Sequence, residues 1–204
     1  MVKVKVCGIT NLEDALAAFL YGADALGFVF YKKSPRYISP INAANISAIL
    51  PKKILRAGVF VDEKAERVKK IAKLCRLDLL QFHGNESPAY CRKFKGYKVI
   101  KAFRVDKRIN PDEVRRYKTY ACLFDTYSKS KPGGTGEKFN WKLLAQTAKI
   151  KGIVLLSGGL NSGNVREAVK LLKPDWVDAS SSLESRPGKK DHRKIRKFVD
   201  KCRQ

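Results

Sequence analysis

Eight short apolar runs alternate with eight amphipathic ones along this chain, and no other feature constrains its fold as tightly. Strand patterns fall at residues 2–6, 24–30, 54–61, 77–82, 97–103, 120–124, 153–156 and 176–179. Helical patterns follow them at 12–20, 40–50, 63–75, 87–94, 111–117, 141–148, 164–172 and 192–202. In the first strand Val2, Val4 and Val6 alternate with Lys3 and Lys5, a period of two that predicts one apolar face. The run at 24–30 is almost continuously apolar, as in a strand covered on both sides. Pro40 suits the first turn of its helix and Pro51 ends it. Nothing in composition divides the chain, so residues 1–204 read as a single domain. Eight consecutive β-then-α units predict an α/β fold, a single closed (β/α)8 TIM barrel, rather than an open sheet. With 204 residues the loops of such a barrel must be tight.

At 44% hydrophobic the chain can bury a core without disulfides. Its cysteines are Cys7, Cys75, Cys91, Cys122 and Cys202, an odd number with no CxxC pair. Reduced thiols are expected, and neither a zinc site nor another metal. His83 and His192 have no metal-binding partner at helical spacing. No apolar run reaches the ~18 residues of a membrane span, and no signal-peptide core opens the chain, so a cytoplasmic protein without a membrane partner is expected. The net charge of +24 is extreme. Residues 92–118 carry eleven Lys/Arg against three Asp/Glu, and 189–204 carry eight against two. Such charge draws in polyanions or an anionic substrate, or else it is a Lys-rich solvated surface. No RNA-binding aromatic motif or zinc-finger spacing accompanies it, so no specific nucleic-acid partner is expected.

In a barrel of this kind the C-terminal ends of all strands share one mouth. Here those ends carry Cys7-Gly8, Phe30 with the Arg36 loop, Asp62, His83-Gly84, Arg104, Asp125-Thr126, Ser157-Gly158-Gly159 and Ser180-Ser181-Ser182. The last two stretches read as a phosphate site. Glycine lets the backbone approach an oxyanion, and a helix N-terminus near Asn164 adds N–H groups and a favourable dipole. Cys7 is either a small buried core residue or a reactive thiol, and the second reading needs a lowered thiol pKa. Asp125 is either a cap at a strand end or a general acid in a water-poor mouth. Arg36 is either solvated or a fork for a carboxylate. His83 is either structural or a proton carrier.

Several motifs follow one another in order: Lys5-Val6-Cys7-Gly8-Ile9-Thr10, Gly27-Phe28-Val29-Phe30 with Ser34-Pro35-Arg36, Gln81-Phe82-His83-Gly84, Phe124-Asp125-Thr126, Gly133-Gly134-Thr135-Gly136, Leu156-Ser157-Gly158-Gly159-Leu160 and Pro187-Gly188-Lys189-Lys190-Asp191. Together they resemble the phosphoribosylanthranilate isomerases of tryptophan biosynthesis, over essentially the whole chain. The resemblance implies an Amadori rearrangement with Asp125 as general acid and Cys7, as thiolate, as general base. It implies that Arg36 contacts the anthranilate and that His83, Gly134 and Gly136 fall at substrate-binding positions. The stretch 132–136 would be a lid. The phosphate would lie on Ser157, Gly158, Gly159, Ser181 and Ser182. The implied partner is a small phosphorylated substrate, with no cofactor, and the implied assembly is a monomer or homodimer. One departure stands out: Ser182 replaces the glycine usual in the family, and a side chain there threatens to crowd the phosphate. Two other readings compete. The related histidine-pathway sugar isomerase, or a dual-substrate version of it, would need an Asp where Cys7 stands. An inactive nucleic-acid-binding barrel would have no use for Cys7 and Asp125.

Overall fold

The computed structural model describes residues 1–105, 109–125, 150 and 152–204. Eight parallel strands close into a barrel in the order of the sequence. They are β1 (Lys3–Cys7), β2 (Ala25–Val29), β3 (Leu55–Phe60), β4 (Leu79–Phe82), β5 (Lys98–Arg104), β6 (Ala121–Asp125), β7 (Ile153–Ser157) and β8 (Trp176–Ala179). β8 returns to β1, with Lys3 opposite Trp176 and Lys5 opposite Asp178. The described helices are α1 (Leu12–Leu20), α2 (Pro40–Ile49), α3 (Ala65–Leu74), α4 (Pro88–Cys91), α5 (Pro111–Arg115), α6 (Val165–Leu172) and α7 (His192–Arg203). The expected helix at 141–148 and the glycine-rich stretch with Gly134 and Gly136 lie outside the described residues.

Local chemistry sets the helix starts. The Asn11 side chain accepts from the Asp14 N–H at 2.9 Å and caps α1. Ser39 and Ser87 do the same for α2 and α4, each with proline in the first turn. Three helices are shorter than their periodicity predicts. α3 begins at Ala65, not 63, because Asp62 takes a left-handed turn with φ of 49°. α4 ends at Cys91, after which Phe94 turns inward and packs its tilted ring on Phe82, with centroids 4.8 Å apart. α5 ends at Arg115, and Tyr117 beyond it packs edge-on against Phe103.

The barrel has two apolar layers. Val4, Val6, Phe28, Phe60, Phe82 and Phe124 point outward to meet Val68, Ile195 and Phe198 of the helices. Ala25, Ala57, Leu79, Ile100, Leu123, Leu155 and Trp176 point inward and fill the interior. The inward face explains one difference from the sequence reading. Lys5 alternates with the valines of β1, as a solvent-facing lysine would, yet it is fully buried. In a closed barrel the second face of a strand is the interior, not water.

After β8 comes a short 3-10 turn, Ser181–Leu183, and then a hairpin of β9 (Glu184–Arg186) and β10 (Lys189–Lys190) where the sequence suggested a loop. Buried Asp14 pins this hairpin to α1 and α7. It accepts from the Lys190 N–H at 2.8 Å, and its other oxygen meets His192 Nε2 at 2.9 Å. No described helix is long and apolar enough to cross a membrane.

Candidate active site

Cys7, Asp125 and Ser157 are the last residues of β1, β6 and β7 and open on one mouth. β6 stands three strands from β1 around the ring, with β7 and β8 between. Cys7 is 7% exposed and packs with Val29 and Val59. Burial pushes its thiol up from the ordinary value, Lys5 and Lys190 pull it down, and Asp178 adds to the rise. Burial wins, so the lowered thiol pKa that a reactive cysteine calls for is not what the free site provides.

Two glycines make room for this thiol. Gly27 is the register partner of Cys7 on β2. A methyl group on Gly27 would sit 2.6 Å from Cys7 Sγ. Gly8, with φ of 78°, carries the chain away from Cys7 in a conformation that disfavours side chains, and a Cβ there would meet Arg36 Cδ at 2.7 Å. Gly27 has no such backbone demand, so Gly27→Ala isolates the steric effect on the thiol. It is expected to cost about 1–3 kcal/mol by overpacking and to slow turnover by displacing Sγ. Denaturant melts and steady-state rates check both, and a variant with parent stability and rate would show that the thiol has slack.

Asp125 is held by a chain of side chains. His83 Nε2 lies 3.1 Å from Asp125 Oδ2, and Gln81 Nε2 lies 3.1 Å from His83 Nδ1. With the Gln81 amide nitrogen toward Nδ1, the ring accepts there and an Nε2 proton points at Asp125. His83 therefore orients the carboxyl through Oδ2. The turn after His83 is fixed from behind. Glu86 accepts from the Gly84 N–H at 2.9 Å and pairs with buried Lys101 at 2.9 Å. A cavity of about 420 Å³ opens beside His83, lined also by Lys101, Phe103, Arg104 and Tyr117. A second, of about 440 Å³, lies at the opposite end of the barrel around Lys3 and Trp176, away from the candidate residues.

Arg36 reaches over the mouth, but its fork is already engaged. Nε and Nη2 bind the two oxygens of Glu184 at 2.8 and 2.7 Å. Lys190 Nζ, fully buried, adds a contact of 3.0 Å to the same carboxylate. Burial opposes the Glu184 charge, yet Arg36 and Lys190 hold its carboxyl below the usual value. The sequence reading did not single out Glu184 or Lys190 for this role. Their signal was a Glu and a Lys flanking a short glycine turn, which looks like any exposed hairpin.

Gly158 and Gly159, with φ of 89° and 69°, turn the chain after β7 toward α6. Asn164 Nδ2 donates to the Gly159 carbonyl at 3.0 Å and holds that turn against the helix start. Ser181 is exposed at the mouth. Ser182 does not point its hydroxyl into the turn: Oγ donates to the Leu160 carbonyl and ties the β7 loop to the β8 loop. Gly134 and Gly136 lie outside the described residues.

Known proteins place this arrangement. Residues 4–201 match the family model of N-(5'-phosphoribosyl)anthranilate (PRA) isomerase. A protein of that name from Trichlorobacter lovleyi is 48% identical over 199 residues, covering 98% of this chain and 97% of the relative. The crystal structure of phosphoribosyl anthranilate isomerase from Thermotoga maritima is 44% identical, with a TM-score of 0.91 over 100% of this chain and 99% of that one. Another solved isomerase, in complex with reduced 1-(o-carboxyphenylamino)-1-deoxyribulose 5-phosphate, is 42% identical, with a TM-score of 0.87 over 100% and 99%. A barrel whose mouth joins a strand-end cysteine, a strand-end aspartate and a glycine turn, and which matches at this length and identity, belongs to the PRA isomerase family.

Proposed function

We propose that this protein converts N-(5-phosphoribosyl)anthranilate to 1-(2-carboxyphenylamino)-1-deoxyribulose 5-phosphate, with Asp125 as general acid and Cys7 as general base. The observation that carries this reading is the placement of Cys7 and Asp125 on one mouth, with the Gly158-Gly159 turn between them. The substrate phosphate lies on that turn and on Ser157, Ser181 and Ser182. The Asp125 proton goes to the furanose oxygen, the C1–O bond breaks, and the nitrogen lone pair forms a C1=N Schiff-base cation. Cys7 thiolate then removes the C2 proton, and the electron pair forms C1=C2 and neutralises the nitrogen. Tautomerisation of the enolamine gives the ketone. C2 is oxidised and C1 reduced within one molecule, so electrons balance without an external acceptor.

Arg36 contacts the anthranilate through the Nη1 edge that Glu184 leaves open, since Glu184 takes Nε and Nη2. His83 stands at a substrate-binding position and also acts through Asp125. The chain works as a monomer or homodimer.

Loss of phosphoribosylanthranilate fluorescence, with the product identified by mass and chromatography, tests the reaction. Steady turnover to the deoxyribulose product is expected, and no turnover by folded protein would overturn the reading. The pH profile follows from the thiol. A thiol raised above its ordinary value is a stronger base of which only a small fraction is ionised at neutral pH. Turnover with Cys7 as base is therefore expected to rise from pH 6 toward the ordinary thiol value of about 8.5. A rate that falls over that range would contradict the assignment.

A further inference from the structure

Lys5 is fully buried inside the barrel, with its ammonium 2.8 Å from Asp178 Oδ1. The two residues are register partners on β1 and β8. Asp178 is held on its other side by Ser157, whose Oγ donates to Oδ2 at 3.3 Å. Stability alone gives little reason for such a pair, because burying two charges costs about as much as their attraction returns. Position gives a better one. Lys5 and Cys7 are two residues apart on one strand, so both face the interior, with the lysine one layer below the sulfur.

Among the described residues, the charged groups that act on that sulfur are Lys5 from its own strand, Asp178 from β8 and Lys190 from β10. Arg36 lies beyond the Gly8 turn, where it is bound to Glu184. Glu184 also occupies Lys190, at 3.0 Å. Of the two lysines Lys5 has the larger pull on the thiol, from one layer beneath it on the same strand.

We propose that Lys5 is a positioning residue for the reaction, an interior ammonium that Asp178 aims at Cys7 to stabilise its thiolate. The proposal rests on the reading of Cys7 as the base. On ionisation the thiol proton leaves to solvent and Lys5 keeps its own. Burial works against the Lys5 charge, but Asp178 and Cys7 outweigh it and keep the ammonium protonated. Asp178 has two opposed effects. It holds Lys5 in place, and its own negative charge disfavours a second anion nearby.

This opposition gives a test with two signs. The rate of iodoacetamide alkylation of Cys7 would be read by peptide mass from about pH 6 to about pH 10 in the parent, Lys5→Met and Asp178→Asn. An opposite charge at this range moves a pKa by about 1–3 units. A less acidic thiol is also a better nucleophile, which halves the effect on log rate. Below the thiol midpoint, Lys5→Met is therefore expected to alkylate about 3- to 30-fold more slowly, with its rate profile and the acid limb of kcat/KM displaced to higher pH. Asp178→Asn is expected to alkylate faster, with its profile displaced to lower pH. Parent-like profiles in both variants, or a Lys5→Met variant that alkylates as fast as the parent, would overturn the proposal and leave the pair a structural one. If Lys5→Met does not fold, Lys5→Gln is read in its place: slower alkylation with the profile displaced to higher pH supports the proposal, and parent-like or faster alkylation overturns it. Turnover of Cys7→Ala is measured in parallel. Full turnover there sinks the base assignment whatever the profiles show, whereas loss of turnover with unmoved profiles sinks only the role of Lys5.

Discussion

Cys7→Ala is expected to lower kcat about 100- to 10,000-fold, the usual contribution of a positioned general base. That corresponds to about 3–5 kcal/mol of lost transition-state stabilisation. Alanine removes only a sulfur from a site packed by Val29 and Val59, so the fold should survive with a loss of about 1 kcal/mol. KM should move far less than kcat, because the sulfur meets the C2 proton chiefly in the transition state. Cys7→Ser is a sharper comparison, since it keeps a polar atom of similar size but offers no accessible anion. Steady-state kinetics and a thermal melt on each variant check the outcome. A Cys7→Ala enzyme with full rate would return Cys7 to the role of buried core.

Asp125→Asn is expected to lose a comparable factor, about 100- to 10,000-fold in kcat. The amide is isosteric, and its oxygen can still accept from His83 Nε2, which stands 3.1 Å from Oδ2 in the parent. Geometry is thus kept while the acidic proton is removed. The substrate should bind but remain a closed ring, because nothing protonates the furanose oxygen. Single-turnover mixing separates the two effects: binding with parent-like affinity and slow loss of fluorescence is the expected result. Parent-like turnover would show that the ring opens without Asp125.

Much of the fold is legible in linear sequence because each β-then-α unit is a local pattern. The two-residue alternation of Val2, Val4 and Val6 and the cap at Asn11 need only neighbours to be understood. The strand ends follow from the same patterns, and so Cys7, Asp125 and the Gly158-Gly159 turn come together once the barrel is closed. Other features have no local signature. Lys5 reads as a surface lysine until closure turns the second face of β1 inward. The fork of Arg36 reads as open until Glu184, 148 positions away, is folded beside it. The link from His83 to Asp125 spans 42 positions. The direction of the Cys7 thiol depends on burial, on Lys5 of its own strand and on Asp178 and Lys190, which only the fold brings near. In each case what was hidden is a long-range polar contact, whereas the apolar periodicity was visible throughout.

The double variant Cys7→Ala/Asp125→Asn tests the division of labour most directly. Asp125 serves ring opening and Cys7 serves the later removal of the C2 proton, so the two act on consecutive steps. When consecutive steps are both slowed, the slower one sets the rate. The account therefore predicts that kcat/KM of the double variant falls no further than about threefold below the slower single variant, since effects of residues in one reaction path do not simply add. Losses that multiply, leaving no measurable turnover where each single variant still turns over, would contradict it and put both residues in the same step.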